Sequence, residues 1–262
     1  MAWDSDGTDG RRLYNGAFAP LNNSIGPFTI AFWFRSDSTT QTNKYLMLCK
    51  DLTAADEQWA VIYEYVNNTV EFFSVGYTGL TDPRTNSGMT VADTIWHHLA
   101  YRKGALNGGG TTTWDKFLDG TKTSIDAAAD FRLPATLAAF MALTAAAGAT
   151  PTFSASPNGK IGPLGIWDVA LADSHIAALA RRVPIHRVYS ASRVAHYEMG
   201  GRSPEPNLVG SGGGLTNTGC TAADHAPTAP PFAMLGGWHG AFTAAAAAGG
   251  KPWLHYARQR AA

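Results

Sequence analysis

Alternating apolar and polar positions recur along this chain and predict β-strands over most of its length. The strand expected at 26–36 has one face made of the apolar side chains Phe28, Ile30, Phe32 and Phe34. Ala31 and Trp33 make the opposite face largely apolar as well, which is typical of a central strand between two layers. Similar patterns predict further strands at 45–50, 58–66, 70–76 and 94–102.

The pattern changes period within 159–179, which indicates a strand that turns into a short helix. Ile161, Ile166 and Trp167 supply bulky side chains suited to a pleated sheet. Asp173 or Ser174 is the expected N-cap, since its side chain can accept from the free N–H groups that open a helix. Ile176 and Leu179 then lie three residues apart on one helical face.

Short polar segments between the predicted strands indicate turns. Asn67-Asn68 predicts a hairpin between two strands, and Asp119-Gly120 predicts another. His97 and His98 are neighbours on a strand, so their side chains point to opposite faces and do not form a simple metal-binding pair. The alanine-rich stretch 127–150 is left open, with a strand at 140–144 as one assignment.

Several of these stretches together resemble the laminin-G-like members of the concanavalin A-like lectin and glucanase family. They are F-T-I-A-F-W at 28–33, W-H-H-L-A at 96–100, F-L-D-G at 117–120 and the strand-to-helix stretch at 159–179. The resemblance covers residues 3–225 and implies an all-β fold, a two-sheet antiparallel jelly-roll sandwich with one short helix. It predicts a domain at 1–231, in which 193–231 is a late strand element, followed by a C-terminal extension at 232–262.

Composition narrows the classes of function. The 262 residues include 20 basic and 20 acidic side chains, which argues against a nucleic-acid-binding face. No apolar run is long enough for a membrane helix, and the first residues lack the features of a signal peptide. Cys49 lies in an apolar run and is expected to be a buried free thiol.

Common catalytic motifs are missing from the sequence. The glycosidases of this architecture carry E-x-D-x-E on one strand, and none of the five glutamates is followed two residues later by an acid. The chain also lacks G-x-S-x-G, the phosphate-loop motif and H-E-x-x-H. The sequence therefore predicts a protein that is not an enzyme.

A calcium site is one hypothesis for the acidic residues near the N-terminus. Asp4, Asp6 and Asp9 could present oxygens to Ca²⁺ together with Asp168. The alternative is an Asp/Gly turn before a strand, which the turn chemistry favours.

A carbohydrate-binding site is a second hypothesis, because sugars bind on aromatic platforms flanked by polar groups. The residues proposed for it are Trp59, Tyr63, Tyr77 and Trp114. Core packing is the alternative explanation for aromatic residues on strands.

The leading functional hypothesis is a structural protein of a bacteriophage particle, decorating the capsid or associated with the tail. It predicts a location in the virion, an oligomeric arrangement there, and capsid or tail proteins as partners, with cell-surface glycans as alternative ligands. The extension after residue 231 is expected to dock on a partner or to fold back on its own domain. Its proposed contact residues are Phe232, Trp238, Trp253 and Tyr256.

Overall fold

The computed structural model describes residues 2–18, 26–38, 44–51, 58–64, 69–75, 89–91, 94–106, 111–129, 138–143, 145–147, 152–154, 156–209, 213–224 and 226. These residues form one helix, α1 (Asp173–Ala180), two 3-10 turns, and seventeen β-strands. The strands are β1 (Ala2–Asp6), β2 (Arg12–Phe18), β3 (Phe28–Ser36), β4 (Lys44–Asp51), β5 (Gln58–Glu64), β6 (Thr69–Val75), β7 (Met89–Thr90), β8 (His97–Leu106), β9 (Thr111–Leu118), β10 (Thr121–Ala129), β11 (Ala138–Ala142), β12 (Ala145–Ala147), β13 (Thr152–Ser154), β14 (Asn158–Trp167), β15 (Arg193–Tyr197), β16 (Thr216–Thr218) and β17 (Thr221–Ala223).

Two large antiparallel sheets contain all but two of these strands. The helix-side sheet has the order β10-β9-β8-β3-β14-β1-β17, and β15 also pairs with β14. The opposite sheet has the order β16-β2-β11-β4-β5-β6-β7, while β12 and β13 pair with each other. The architecture is the predicted all-β, two-sheet jelly roll with one short helix, so the expected fold class is confirmed.

The main core lies between the two large sheets. From β3, the four predicted inward residues Phe28, Ile30, Phe32 and Phe34 all belong to it. The opposite sheet contributes neighbours such as Val61, Tyr63 and Phe72, and the rings of Phe34 and Tyr63 lie 6.0 Å apart. Period-two alternation therefore placed the inner face of β3 correctly.

A second, smaller core covers the outer face of the helix-side sheet. Ile176 and Leu179 of α1 pack there with Ala31 and Trp167, so the predicted face of the helix and the apolar outer face of β3 are both confirmed. Thr29 fixes the entry to the helix, because its hydroxyl donates to the Val169 carbonyl at 2.8 Å and accepts from the Leu171 amide at 2.9 Å.

The predicted N-cap of α1 is wrong. Ala172 is the N-cap and makes no side-chain capping bond, while Asp173 and Ser174 are already inside the helix. The carboxylate of Asp173 instead accepts from Arg102 Nη1 at 2.6 Å. An ion pair with the sheet has replaced the local bond that the sequence pattern indicated.

The hairpin between β9 and β10 has the turn that Asp119-Gly120 predicts. Leu118 pairs with Thr121, and both turn residues have positive φ, 52° and 82°, as a type I′ turn requires. The Asp119 carboxylate accepts from the His98 amide at 2.8 Å and lies 2.8 Å from His97 Nδ1. The two histidines occupy opposite faces of β8, as expected.

The late part of the chain adds strands to both large sheets. β15 extends the helix-side sheet along β14, whereas β16 pairs with β2 of the opposite sheet and β17 pairs with β1. All described residues belong to one compact unit, Met1–Pro227. β11 shows that the open stretch 127–150 includes a strand.

Both cysteines are free and buried, as expected for Cys49. No helix in the described part of the chain has the length and apolar character needed to cross a bilayer.

Candidate functional site

The segment 181–193, here called the arch, joins α1 to β15 across the outer side of the helix-side sheet. Its base is the end of β14, where the indole of Trp167 folds back over Gly165. A Cβ atom at Gly165 would lie 2.5 Å from that ring, so only glycine leaves room for it. The buried Trp167 is the anchor on which the arch rests.

The arch begins at the C-terminus of α1 with a Schellman motif. The Arg182 amide donates to the Leu179 carbonyl at 2.9 Å, and the Val183 amide donates to the Ala178 carbonyl at 3.0 Å. Arg182 therefore occupies the left-handed position that usually holds glycine, with a φ of 71°. Both Arg181 and Arg182 are exposed.

Two 3-10 turns, Ile185–Arg187 and Ser190–Ser192, form the rest of the arch. Three hydrogen bonds hold them. Two are long-range: Trp167 Nε1 donates to the Val188 carbonyl at 3.3 Å, and the Asp168 amide donates to the Ser192 carbonyl at 3.0 Å. The third lies within the arch, where Arg193 Nη1 donates to the Ile185 carbonyl at 2.9 Å. Ile185 and Val188 are buried in the second core. The arch is thus a supported segment in spite of having little regular secondary structure.

Tyr189 lies between the two turns and presents an exposed ring. Its backbone is left-handed, with φ 41° and ψ 62°, and the residue is 48% exposed. The large hydrophobic residues that are exposed in the described part of the chain are Ile95, Val183, Tyr189 and Leu208. Tyr189 is the aromatic residue of this set. The ring of His175 on α1 lies 5.4 Å from it at an angle of 43°. This pair forms a small aromatic surface on a rigid base.

Within the described part of the chain, charged side chains are paired at one end of the arch and unpaired at the other. Near β15, His196 Nε2 lies 2.8 Å from Glu198 Oε1, and this contact lowers the pKa of Glu198 although partial burial opposes it. Burial lowers the pKa of Arg193, and the nearby charge of Glu198 opposes that shift. At the other end, Arg181 and Arg182 form no ion pair with the described residues.

The residues predicted for sugar binding are not brought together in the described structure. Tyr63 is fully buried in the main core, so this prediction is wrong: a ring without exposed surface cannot stack on a sugar. Trp59 lies in β5 and Trp114 in β9, but their side chains are outside the described residues. Tyr77 is also outside them.

The four predicted metal ligands do not share one site. Asp4 pairs in register with Lys160 on β14, and Asp168 comes eight residues later, just beyond the far end of that strand. At about 3.3 Å per residue the two lie roughly 26 Å apart. The expected combination of Asp168 with the N-terminal aspartates is therefore wrong.

Each N-terminal aspartate has a cation beside it. Lys160 Nζ lies 3.3 Å from Asp4, and Lys44 Nζ lies 3.9 Å from Asp9. Hydrogen bonds from Arg11 and from the Thr8 amide lower the pKa of Asp6 to about 2. No group of three acidic, histidine or cysteine side chains suited to a metal occurs among the residues that the structure describes.

The proposed contacts of the C-terminal extension, Phe232, Trp238, Trp253 and Tyr256, lie outside the described residues. Sequence reasoning missed Tyr189 and His175. A signal was present in the arginine-rich run at 181–193, which follows the helix and contains a single aromatic residue. Hydrophobic periodicity does not detect such a segment, because apolar residues in the arch do not recur with the period of a helix or a strand.

Comparisons with known proteins agree with this architecture. The chain superimposes on a putative carbohydrate binding protein from Bacteroides ovatus with a TM-score of 0.55 and 14% identity, covering 87% of this chain and 61% of that chain. It also superimposes on a native heptameric SAP-like pentraxin from Limulus polyphemus with a TM-score of 0.51 and 11% identity, covering 83% of this chain and 95% of that chain. At these identities the likeness shows a shared fold.

No curated protein sequence matches the chain. A laminin-G-like family model of the concanavalin A-like lectin/glucanases superfamily matches residues 6–177, which is more than half of the sequence. The strands predicted between 26 and 102, the Asp119-Gly120 hairpin and the strand-to-helix stretch lie within that match or at its edge, whereas the late strand element at 193–231 lies outside it. This chain belongs to the concanavalin A-like lectin/glucanases superfamily.

Proposed function

We propose that this chain is a glycan-binding module without catalytic activity, and that its contact surface is the ring of Tyr189 with His175 and the polar groups of the arch. The observation that carries the proposal is an exposed aromatic residue, 48% accessible, on a segment held by two long-range hydrogen bonds and a third within the arch. Membership of a superfamily described by its lectins and glucanases supports the same class of ligand.

Aromatic rings bind sugars through the apolar C–H faces of the pyranose, while nearby polar groups fix the orientation. Tyr189 offers the ring, and Ser190 offers an exposed polar group next to it in the chain. Asp168 is also exposed, and its amide donates to the Ser192 carbonyl of the arch. The surface is preorganised, because the arch rests on the buried indole of Trp167. Preorganisation reduces the entropy lost on binding.

The missing glycosidase and hydrolase motifs support the non-catalytic part of the proposal. The Bacteroides protein with the same fold is described as a putative carbohydrate binding protein, which supports the ligand class without assigning a ligand.

A Tyr189→Ala variant tests the proposed surface. We expect the full chain to bind glycans on an array, and the variant to bind the strongest of them at least tenfold more weakly in calorimetric titration. Tyr189→Phe should retain most of the affinity, since it keeps the ring.

Leu208→Ala is the matched control, because Leu208 is 52% exposed and lies outside the arch. Equal losses in the two alanine variants, or no glycan bound by the unaltered chain, would contradict the proposal. Repeating the array in EDTA tests the predicted Ca²⁺ dependence: unchanged binding would count against a calcium-assisted mode.

The role in a phage particle stays a prediction, together with its capsid or tail partners and its location in the virion. It requires this chain in stoichiometric copies in purified particles, and its absence from them would rule out the role.

A further inference from the structure

The arch concentrates positive charge in a chain that has equal numbers of basic and acidic residues overall. Residues 181–193 contain four arginines and His186 but no acidic residue, whereas the whole sequence has 20 basic and 20 acidic side chains. Arg181, Arg182 and Arg187 are all exposed. The basic surface therefore lies on the same segment as the exposed ring of Tyr189.

The acidic groups near the arch leave part of this charge uncompensated. Asp173 is held by Arg102, and Glu198 lies against His196 and acts on His186 and Arg193. Asp168 is exposed at the end of β14. Arg181 and Arg182 are without an acidic partner among the described residues.

Stabilisation of the helix end does not account for both arginines. A cation at the C-terminus of α1 interacts favourably with the helix dipole, which is a sufficient role for Arg181 at the C-cap. Arg182, however, occupies a left-handed position in which glycine would be less strained. Tyr189 is a second exposed non-glycine residue with positive φ in the same arch. Such residues persist where their side chains have another use.

We infer that the arch selects anionic polysaccharides, with a sugar ring on Tyr189 and its sulfate or carboxylate groups on Arg181 and Arg182. This inference rests on the proposed glycan-binding function and names the class of glycan. Guanidinium groups bind planar carboxylates and sulfate oxygens through paired N–H donors. A polysaccharide presents such anions on a chain of pyranose faces, which is the combination that suits a segment carrying one exposed aromatic ring and several exposed arginines.

The test is an array that prints neutral glycans beside sulfated and uronic-acid-containing ones, probed with the full chain. We expect the anionic glycans to bind best, and binding to weaken as salt concentration rises. The double variant Arg181→Gln with Arg182→Gln should bind the strongest of them at least tenfold more weakly. Arg202→Gln is the control, since Arg202 is an exposed arginine outside the arch and should have no effect.

Arg182→Gly separates binding from folding. Glycine suits the left-handed position, so the midpoint of thermal unfolding should be unchanged or higher while affinity for the anionic glycan falls as in Arg182→Gln. A lower midpoint together with unchanged affinity would overturn the inference and assign Arg182 to the fold.

The remaining outcomes distinguish the two proposals. Neutral glycans bound through Tyr189, with no effect of the arginine substitutions, would overturn the inference and leave the glycan-binding function intact. No binding to any glycan would overturn both. Binding of a single-stranded oligonucleotide as tightly as a sulfated glycan would also overturn the inference, because it would indicate attraction to any polyanion.

Discussion

At the scale of single residues, His98 shows how burial determines the charge state of a side chain. It is 2% exposed, its ring lies 5.3 Å from that of Trp33, and its Nδ1 has no hydrogen-bond partner among the described residues. Burial lowers the pKa of His98 to about 4, although the charge of Asp119 opposes the shift. The histidine is therefore neutral in the folded protein at neutral pH and serves as a packing group.

Acidification should destabilise the protein through this residue. Unfolding returns the pKa of His98 from about 4 to about 6.5, so the unfolded chain binds more protons between these values. The preference of the folded protein for neutral His98 adds fully to the free energy of unfolding above pH 6.5. This free energy falls by about 3 kcal/mol as the pH drops to 4. Chemical denaturation at several pH values measures this slope.

His98→Phe removes the titrating group and should flatten the slope between pH 6.5 and 4, whatever its effect on absolute stability. His186→Gln, which changes an exposed histidine, is the comparison variant. An unaltered slope in His98→Phe would show that His98 is not the group responsible.

Glu205 is a second residue whose role depends on distant partners. Its buried carboxylate accepts from Trp3 Nε1 at 3.1 Å, from the Gly200 amide at 2.8 Å and from the Arg202 amide at 3.3 Å. It thereby ties β1 to the loop that follows β15. A buried carboxyl group is tolerated here because both of its oxygens accept hydrogen bonds.

At the scale of elements, Arg102 on β8 holds α1 against the helix-side sheet. Its guanidinium donates to Asp115 on β9, to Asp173 at the start of α1, and to the Leu171 carbonyl. The group also lies 5.0 Å from the centre of the Phe117 ring. Lys122 lies 3.1 Å from Asp115 and completes the network.

Arg102→Leu should lower the free energy of unfolding by about 2–4 kcal/mol, because it leaves Asp115 buried with one cation fewer and releases the start of α1. Hydrogen exchange should show faster opening of α1 than of the strands in the main core. Denaturant titration gives the size of the loss.

Arg11→Leu provides the comparison, since Arg11 pairs with Asp6 at an exposed site, where a salt bridge contributes little. If the two variants lose equal stability, Arg102 has no special part in docking the helix.

At the scale of the whole molecule, β16 and β17 finish one sheet each within a few residues of one another. β16 pairs with β2 at the edge of the opposite sheet, and β17 pairs with β1 at the edge of the helix-side sheet. Cys220 lies between them and is buried, which raises the pKa of its thiol to about 12. This segment covers two strands that would otherwise be sheet edges.

Two truncations therefore have opposite expected outcomes. A chain ending at Pro231 keeps every described strand and should retain the unfolding midpoint of the full chain, as the predicted domain at 1–231 requires. A chain ending at Val209 loses β16 and β17, exposes both edges, and should unfold at lower temperature or aggregate. Circular dichroism and light scattering measure both effects. Equal midpoints for the two truncations would show that the late strands do not stabilise the sandwich.

The fold was predictable because its signals are local. The alternation in β3, the Asp119-Gly120 turn, and the spacing of Ile176 and Leu179 each follow from backbone geometry over a few residues. The N-cap of α1 was not predictable, because Arg102 lies about seventy residues away in sequence and takes the carboxylate of Asp173.

Sites differ from folds because they depend on which residues meet and which remain exposed. Alternation placed Tyr63 on a strand face with other aromatic residues. Only the packing of the two sheets against each other made this face part of the core. Asp168 and Asp4 are similar acidic residues in the sequence, and the direction of β14 separates them. Tyr189 is exposed because carbonyl groups on either side of it, those of Val188 and Ser192, accept hydrogen bonds from the distant Trp167 indole and Asp168 amide.

The sequence by itself therefore determined the strands, the turns, the helical face and the class of fold, since each arises from steric and hydrophobic preferences between near neighbours. Tertiary structure alone decided which aromatic rings reach solvent, which acids have cations beside them, and where unpaired arginines collect. Those properties arise from contacts between residues far apart in the chain, so they cannot be predicted from local sequence patterns.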